Sequence, residues 1–203
     1  MSSRRTIDVS HLPTMAFGHR DPLWWGVMGM IAIESTVFVL MFASYFYLRG
    51  NHYQWPPSGS APIVQVLGAV NMGLLLASCL PIHWANKSAL GRKLRGMRWG
   101  LVLTSIAGLL FLAIRILEMQ RVGFRWDSHS YGSIFFTIVG MHTVHTLAAT
   151  LENLVIAAVL FIGPVEEKHL VDVRVNGMYW YFVVASWVPF YGVLFVAPNL
   201  FRA

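Results

Sequence analysis

Charged side chains are scarce in this sequence: Asp, Glu, Lys and Arg together make up 12% of its 203 residues. Soluble globular domains contain about 25% of these residue types, so the chain has too few charges to solvate the surface of a soluble protein of this length. Hydrophobic residues make up 56% of the sequence. This balance excludes an ordinary soluble domain and predicts a protein that crosses a membrane several times.

Cysteine is nearly absent as well, since Cys79 is the only one. A single cysteine excludes an intrachain disulfide, a redox-active cysteine pair and a zinc site made of several thiolates. The sequence also lacks a phosphate-binding glycine loop, a nucleophile paired with a base, and any pattern typical of nucleic-acid binding. We therefore predict no catalytic residues, no metal ligands and no nucleic-acid partner for this chain, and we interpret its net charge of +6 as a signal that orients membrane loops.

Five long apolar runs dominate what the sequence does contain. Each is long enough to cross a bilayer, which takes about 20 helical residues. They predict an all-α fold, a polytopic bundle of five transmembrane helices in one membrane domain over residues 22–203, preceded by a polar segment over residues 1–21. The predicted helices cover residues 23–48, 61–85, 97–117, 130–162 and 175–200, and Pro189 is expected to kink the last one.

Lys and Arg residues are distributed unevenly between the loops. If the N-terminus is cytoplasmic, ten of them lie on the cytoplasmic side and four on the other side, a bias that the positive-inside rule favours. We therefore predict a cytoplasmic N-terminus and an external C-terminus. The ten are Arg4, Arg5, Arg20, Lys87, Arg92, Lys93, Arg95, Arg98, Lys168 and Arg174, and the four are Arg49, Arg121, Arg125 and Arg202.

Two histidines, His142 and His145, lie three residues apart in the fourth apolar run, so a helix presents both on one face. Polar groups at this depth are costly and are often functional. Three interpretations stay open: a metal site, a proton relay, and hydrogen bonds between helices. A metal would need three or four ligands, and the only other histidine close to an apolar run is His83. We favour interhelical hydrogen bonding, with Glu152 near the same stripe two turns further on.

Three more charged groups fall inside or beside the apolar runs. Glu34 is the only charged residue of the first run. We expect either a protonated carboxyl bonded to a neighbouring helix, or a site that handles protons or lies near lipid headgroups. Arg115 and Glu118 are three residues apart at the end of the third run, where we expect an ion pair near the headgroups. On the second run, Gly73 belongs to a stripe of small residues that predicts close helix packing.

Taken in order, several segments resemble one family of membrane proteins, subunit III of the haem–copper oxidases, in its short five-helix bacterial form. The resemblance covers roughly residues 22–200, and its specificity comes from the order and spacing of fragments that are each weak alone. The matching fragments are Glu34 with Phe38, Phe42 and Tyr45-Phe46-Tyr47; Gly108 with Phe111 and Glu118; Tyr131-Gly132-Ser133 with Phe135-Phe136; Gly140 with His142 and His145; and Tyr179-Trp180-Tyr181-Phe182 with Trp187.

The chain departs from that family's pattern at three positions. Arg115 stands where glutamine is usual, and Tyr181 and Val184 stand where histidine and aspartate are usual. The family role of that histidine and aspartate is therefore not carried over to this chain. By the same resemblance, the signature polar groups are Glu34, Glu118, His142 and His145. The residues expected to serve helix packing or ion pairing are Arg115, Glu152 and Gly73, from their own placement in the sequence, and Tyr131, Gly140 and Trp180, from the matching fragments.

The resemblance also implies a function. It implies a non-catalytic subunit of an oxygen-reducing, proton-pumping respiratory complex in the bacterial plasma membrane. This chain would carry no cofactor, and haem and copper would belong to partner subunits, with the chain packed against catalytic subunit I beside subunit II and other respiratory-complex subunits. It would bind phospholipid in a cleft, with one wall supplied by a neighbouring subunit because the short form lacks the family's first two helices. It would also support proton uptake and the durability of the catalytic subunit.

Two alternatives stay open at this point. An accessory subunit of a quinol oxidase or of a nitric-oxide reductase would share this architecture, because the chain is not expected to contain the electron-donor site. A free-standing small transporter would need a polar path through the bilayer within one chain, and the uncharged second and fifth runs argue against one. The sequence of this chain does not specify the electron donor or the haem type.

Overall fold

A computed structural model describes residues 21–56 and 62–200. Within these ranges the chain is helical and contains no strand. The elements are α1 (Pro22–Gly50), α2 (Pro62–Ala77), α3 (Cys79–Leu90), α4 (Leu94–Gln120), α5 (Ser130–Ile162), α6 (Lys168–Tyr191), the π-helical turn (Gly192–Val196) and α7 (Ala197–Leu200). Two pairs of elements, α2 with α3 and α6 with the π-helical turn, each form one continuous span, so five segments are long and apolar enough to cross a bilayer. The predicted all-α fold of five transmembrane helices is confirmed.

The helix ends differ from the predicted ones where charged residues lie in the first turns. α6 begins at Lys168 rather than at 175, and α4 begins at Leu94 rather than at 97. A span predicted from hydropathy stops short of charged residues, but the helix itself can continue through them outside the apolar part of the membrane. Of the predicted polar segment, residues 1–20 lie outside the described residues, and Asp21 caps α1 by accepting a 2.8 Å hydrogen bond from the Leu23 N–H.

Two prolines interrupt the regular helical pattern inside the membrane segments. Pro81 lies in the first turn of α3 and has no backbone N–H, so the carbonyl of Ala77 loses its usual helical donor and the span breaks at Ser78. Pro189 lies in α6, which ends at Tyr191 and continues as the π-helical turn. The first break has a consequence for packing, because it leaves a buried serine hydroxyl facing the interior of the bundle.

The core of the bundle is built around α4, which packs against α3 and α5, while α6 packs against α3 and α5. Glycines allow the closest approaches: a side chain at Gly108 would collide with Thr150 and Trp180, and one at Gly177 would collide with Asn86. α1 is the outlying helix and contacts α5 and α6. Its buried residues are Phe38, Met41 and Tyr45.

Candidate functional site

Glu34, the only carboxyl group of α1, meets polar side chains from two other helices. Its Oε2 atom lies 3.7 Å from His145 Nε2 on α5, and its Oε1 atom accepts a 3.3 Å hydrogen bond from the Tyr179 hydroxyl on α6. The side chains of His145 and Glu34 are 11% and 21% exposed. Because Glu34 is twelve residues into a helix that rises about 1.5 Å per residue, the contact lies about 18 Å from the start of α1, near the middle of a bilayer.

The backbone hydrogen bond of His145 determines which of its ring nitrogens faces Glu34. Nδ1 lies 2.7 Å from the carbonyl oxygen of Met141, and a carbonyl can only accept, so Nδ1 carries a hydrogen. Nε2 is therefore the nitrogen that faces Glu34. At 3.7 Å the two atoms are too far apart for a hydrogen bond, and Glu34 Oε2 has no hydrogen-bond partner among the described residues.

His142 lies one turn away and faces a different helix. It is fully buried, its Nε2–H donates a 3.0 Å hydrogen bond to the Val183 carbonyl of α6, and its ring stacks on Trp187 with centroids 4.5 Å apart. Thr146 Oγ1 lies 3.5 Å from its Nδ1 atom. The two histidines, predicted to share one interface, therefore serve two: His142 contacts α6, and His145 contacts α1.

Arg115 and Glu118 form an ion pair that the structure buries completely. Arg115 Nη1 donates to Glu118 Oε2 at 3.0 Å, and each side chain is 1% exposed. The guanidinium lies 4.2 Å from the ring centre of Trp187 and 4.9 Å from that of Phe111. The expected ion pair is present, and aromatic rings of α4 and α6 enclose its guanidinium within the bundle. Its placement near the headgroups stays a prediction.

Several buried polar atoms around this ion pair have no hydrogen-bond partner among the described residues. They include Nε and Nη2 of Arg115, Oε1 of Glu118, Nε1 of Trp187 and both side-chain amide atoms of Asn71. Asn71 is close enough to interact with Glu118, at a geometry that falls short of a hydrogen bond. Since unpaired buried polar atoms reduce stability, this part of the bundle is sensitive to the loss of either charged partner.

Two interhelical hydrogen bonds join residues that the sequence pattern did not single out as a pair. Asn176 Nδ2 on α6 donates to Asn153 Oδ1 on α5 at 3.0 Å, and both side chains are fully buried. Trp180 Nε1 donates to Ser78 Oγ at 2.9 Å, which joins α6 to the break between α2 and α3. An amide side chain inside an apolar run often bonds to another helix, so the sequence could have marked the two asparagines as candidates. Nothing in the spacing along one helix identifies the partner of Ser78.

The other residues predicted to serve packing have varied surroundings. Tyr131 is buried, with its ring centre 5.1 Å from that of Trp55. A side chain at Gly73 or Gly140 would meet no atom within 4 Å, and Glu152 is exposed and forms no ion pair with another described residue. These positions are therefore not used for packing among the described residues, and a role for Gly73, Gly140 and Glu152 in helix packing or ion pairing stays a prediction.

Metal ligation finds little support in the geometry. Among residues 21–56 and 62–200, no three His, Cys, Asp or Glu side chains form a group that could hold a metal ion. Glu34 and His145 supply two such groups, and His83 is occupied by the hydroxyl of Tyr181, 3.4 Å from its Nδ1 atom. The arrangement brings a carboxyl group and an imidazole together between α1 and α5, and it joins helices through buried hydrogen bonds.

Comparison with known proteins adds independent information. The family model of cytochrome c oxidase subunit III matches residues 3–197. Cytochrome c oxidase subunit 3 of Thermostichus vulcanus is 28% identical over 191 residues, which cover 89% of this chain and 90% of that protein. The subunit 3 proteins of a Synechocystis species and of Gallus gallus are 26% and 27% identical, over 90% and 92% of this chain and 77% and 72% of their own lengths.

Proposed function

We propose, from the premise that this chain belongs to the cytochrome c oxidase subunit III family, that it is the cofactor-free supporting subunit of a bacterial haem–copper terminal oxidase. Family membership makes it a multi-pass membrane subunit that assembles with other oxidase subunits. In the proposal, haem and copper belong to the partner subunits. This chain stabilises catalytic subunit I and supports its proton uptake while oxygen is reduced.

The contact between Glu34 and His145 is the observation that carries this proposal. It places a carboxyl group and an imidazole 3.7 Å apart near mid-bilayer depth. Ionisable groups at this depth are costly and are often functional. The Glu34 oxygen that faces His145 is buried and has no hydrogen-bond partner among the described residues, so it can accept a proton in the proposed role.

A groove between α1 and α6 supports the proposed phospholipid contact. It has a volume of about 330 Å³ and lies beside the contact between Glu34 and His145, because Ser35 lines it directly after Glu34. Its outer side is open, which leaves space for a wall supplied by a neighbouring subunit. The rest of the lining is mainly apolar and includes Phe38, Phe42, Phe182, Pro189 and Phe190.

The proposed location is the bacterial plasma membrane, with the N-terminus cytoplasmic and the C-terminus outside. The bias of Lys and Arg toward one set of loops supports this orientation. The match to Thermostichus vulcanus over 90% of that protein supports the short form of the subunit.

The replacement Glu34→Gln tests the proton-handling role, with Glu166→Gln as the matched control. Both variants remove one carboxylate, but Glu166 is exposed in the loop between α5 and α6, where it pairs with Lys168. In purified complexes reconstituted into vesicles, we expect Glu34→Gln to slow proton uptake during turnover and Glu166→Gln to leave it unchanged. The haem absorption spectrum should be the same in both.

Unchanged proton uptake in Glu34→Gln would contradict the proton-handling role. An altered haem spectrum or haem content in that variant would instead contradict the assignment of all cofactors to partner subunits. The two readouts therefore separate the two parts of the proposal.

A further inference from the structure

We propose that a groove between α4 and the span formed by α2 and α3 binds an anionic phospholipid, with an acyl chain in the groove and the phosphate against Lys87 and Arg95. We call it the α3–α4 groove. Neither α1 nor α6 lines it, so it is separate from the groove beside Glu34. The proposal rests on the placement of the chain in a membrane and goes beyond its role in an oxidase.

The shape of the α3–α4 groove suits one lipid chain. It has a volume of about 450 Å³ and a mainly apolar lining that runs along the second span from Leu74 to Trp84. Ten residues of helix correspond to about 15 Å, which is also half of the roughly 30 Å hydrocarbon core of a bilayer. Leu80 and Leu103 in its walls are 74% and 45% exposed.

Two tryptophans and two cations continue the groove at one end. On α4, Arg95, Trp99 and Leu103 are spaced four residues apart and therefore share one face. On α3, Lys87 follows Trp84 by three residues and extends the groove-lining face in the same way. Each helix thus presents an aromatic ring and then, one turn further out, a cation.

The connection between the helices brings these two faces together. α3 ends at Leu90 and α4 begins at Leu94, so both cations lie at the same end of the groove. In the first turn of α4, a Cβ at Gly96 would lie 3.4 Å from the indole Nε1 of Trp84. Tryptophan concentrates where hydrocarbon meets headgroups, so the cations one turn further out are at the level of lipid phosphates.

The charge at this end favours an anionic lipid. Residues 87–98 contain five Lys and Arg and no Asp or Glu. Arg92 is already paired with Glu167 at 2.8 Å, whereas Lys87 and Arg95 are exposed and form no ion pair within residues 21–56 and 62–200. Basic pockets between transmembrane helices attract anionic headgroups in this way.

The charge at the end of the groove argues against an apolar transmembrane helix as its occupant. Such a helix would leave both cations without a partner, while a phosphate accepts hydrogen bonds from both.

Native mass spectrometry of the complex that contains this chain tests the site, with phosphatidylglycerol titrated into the micelles and phosphatidylcholine as the comparison lipid. The variant Lys87→Gln/Arg95→Gln removes both cations and keeps the groove, whereas Ala107→Phe fills the groove and keeps the cations. The control Arg121→Gln/Arg125→Gln removes the same charge from the loop at the opposite end of α4.

We expect Lys87→Gln/Arg95→Gln to weaken the tightest phosphatidylglycerol binding by about tenfold or more. Ala107→Phe should weaken binding of both lipids, and the control should change neither. Equal losses in the two charge variants, no effect of Ala107→Phe, or a partner helix seated in the groove in an electron cryomicroscopy map would each overturn the proposal. If the chain does not copurify with an oxidase, the same titration of the full-length chain alone tests this site independently of the proposed function.

Discussion

The guanidinium of Arg115 lies 4.2 Å from the ring centre of Trp187, so a buried cation on α4 is held against an aromatic face of α6. The same ring stacks on His142 of α5. One tryptophan therefore joins three helices, with a cation on one side and an imidazole in contact with it. The contacts of Trp187 with Arg115 and His142 explain how a charge is tolerated inside the bundle. They also predict how replacements of the surrounding residues change stability.

Loss of Glu118 should destabilise the protein strongly. The replacement Glu118→Gln leaves Arg115 buried without its counter-charge, and breaking a buried pair in this way costs about 3–5 kcal/mol. Unfolding in mixed micelles with increasing denaturing detergent measures the change. The exposed pair formed by Arg125 and Asp127, at 3.1 Å, is the control; Asp127→Asn should cost at most about 1 kcal/mol.

Replacing both charges of the buried pair should be much less harmful than replacing one. In Arg115→Met/Glu118→Leu no charge is left unpaired, so we expect most of the loss in Glu118→Gln to be recovered. If the double variant is as unstable as the single one, charge pairing is not the cause, and packing around Trp187 must account for the effect.

His142 should contribute through both its hydrogen bond and its ring. The variant His142→Phe removes the bond to the Val183 carbonyl and keeps an aromatic ring against Trp187, so it should cost about 1–2 kcal/mol. His142→Ala also removes the stacking and should cost about 0.5–1.5 kcal/mol more. Detergent unfolding gives the stabilities, and retention of catalytic subunit I during purification gives the effect on assembly. His52→Ala, at an exposed position after α1, is the control.

The two buried asparagines should behave as a unit. Asn153→Leu or Asn176→Leu leaves one buried amide without its partner and should cost about 1–3 kcal/mol. The double variant removes both amides of this pair, so its stability should be closer to that of the wild type than the stability of either single variant. Strictly additive losses in a double-mutant cycle would show that the two side chains do not interact.

Replacing two different glycines should distinguish helix packing inside this chain from contact with other chains. In Gly108→Ala the new methyl group collides with Thr150 and Trp180, so we expect a loss of about 1–3 kcal/mol. Gly73→Ala meets open space and should leave the stability of this chain unchanged or slightly improved. If the larger variant Gly73→Leu folds normally but releases the partner subunits, the open face of α2 is an assembly surface.

Hydropathy was sufficient to predict the five spans, because each run reaches bilayer length independently of its neighbours. The polar positions were also visible, since Glu34, Arg115 and His142 stand out in apolar surroundings. Their partners were not, because a pattern along one helix does not specify rotation or depth against another. Trp187 shows this: in the sequence it matches the family's last helix, while in the structure it contacts both Arg115 and His142.

Burial was the second property that sequence could not supply. Arg115 near the end of an apolar run is expected to reach the headgroups, but its guanidinium is enclosed because Phe111 and Trp187 cover it from two helices. Gly73 had the spacing of a packing stripe, yet it lies on an open face of α2. In both cases the tertiary arrangement of helices decides the outcome.

The most direct test of the central claim compares the purified oxidase with and without this chain. The two preparations are matched for haem absorption, and oxygen consumption is followed through continuous turnover. We expect equal haem content and equal initial rates, followed by a markedly faster loss of activity in the preparation that lacks this chain. Loss of haem or copper together with the chain, or identical activity lifetimes in the two preparations, would contradict its role as a cofactor-free subunit that stabilises the catalytic one.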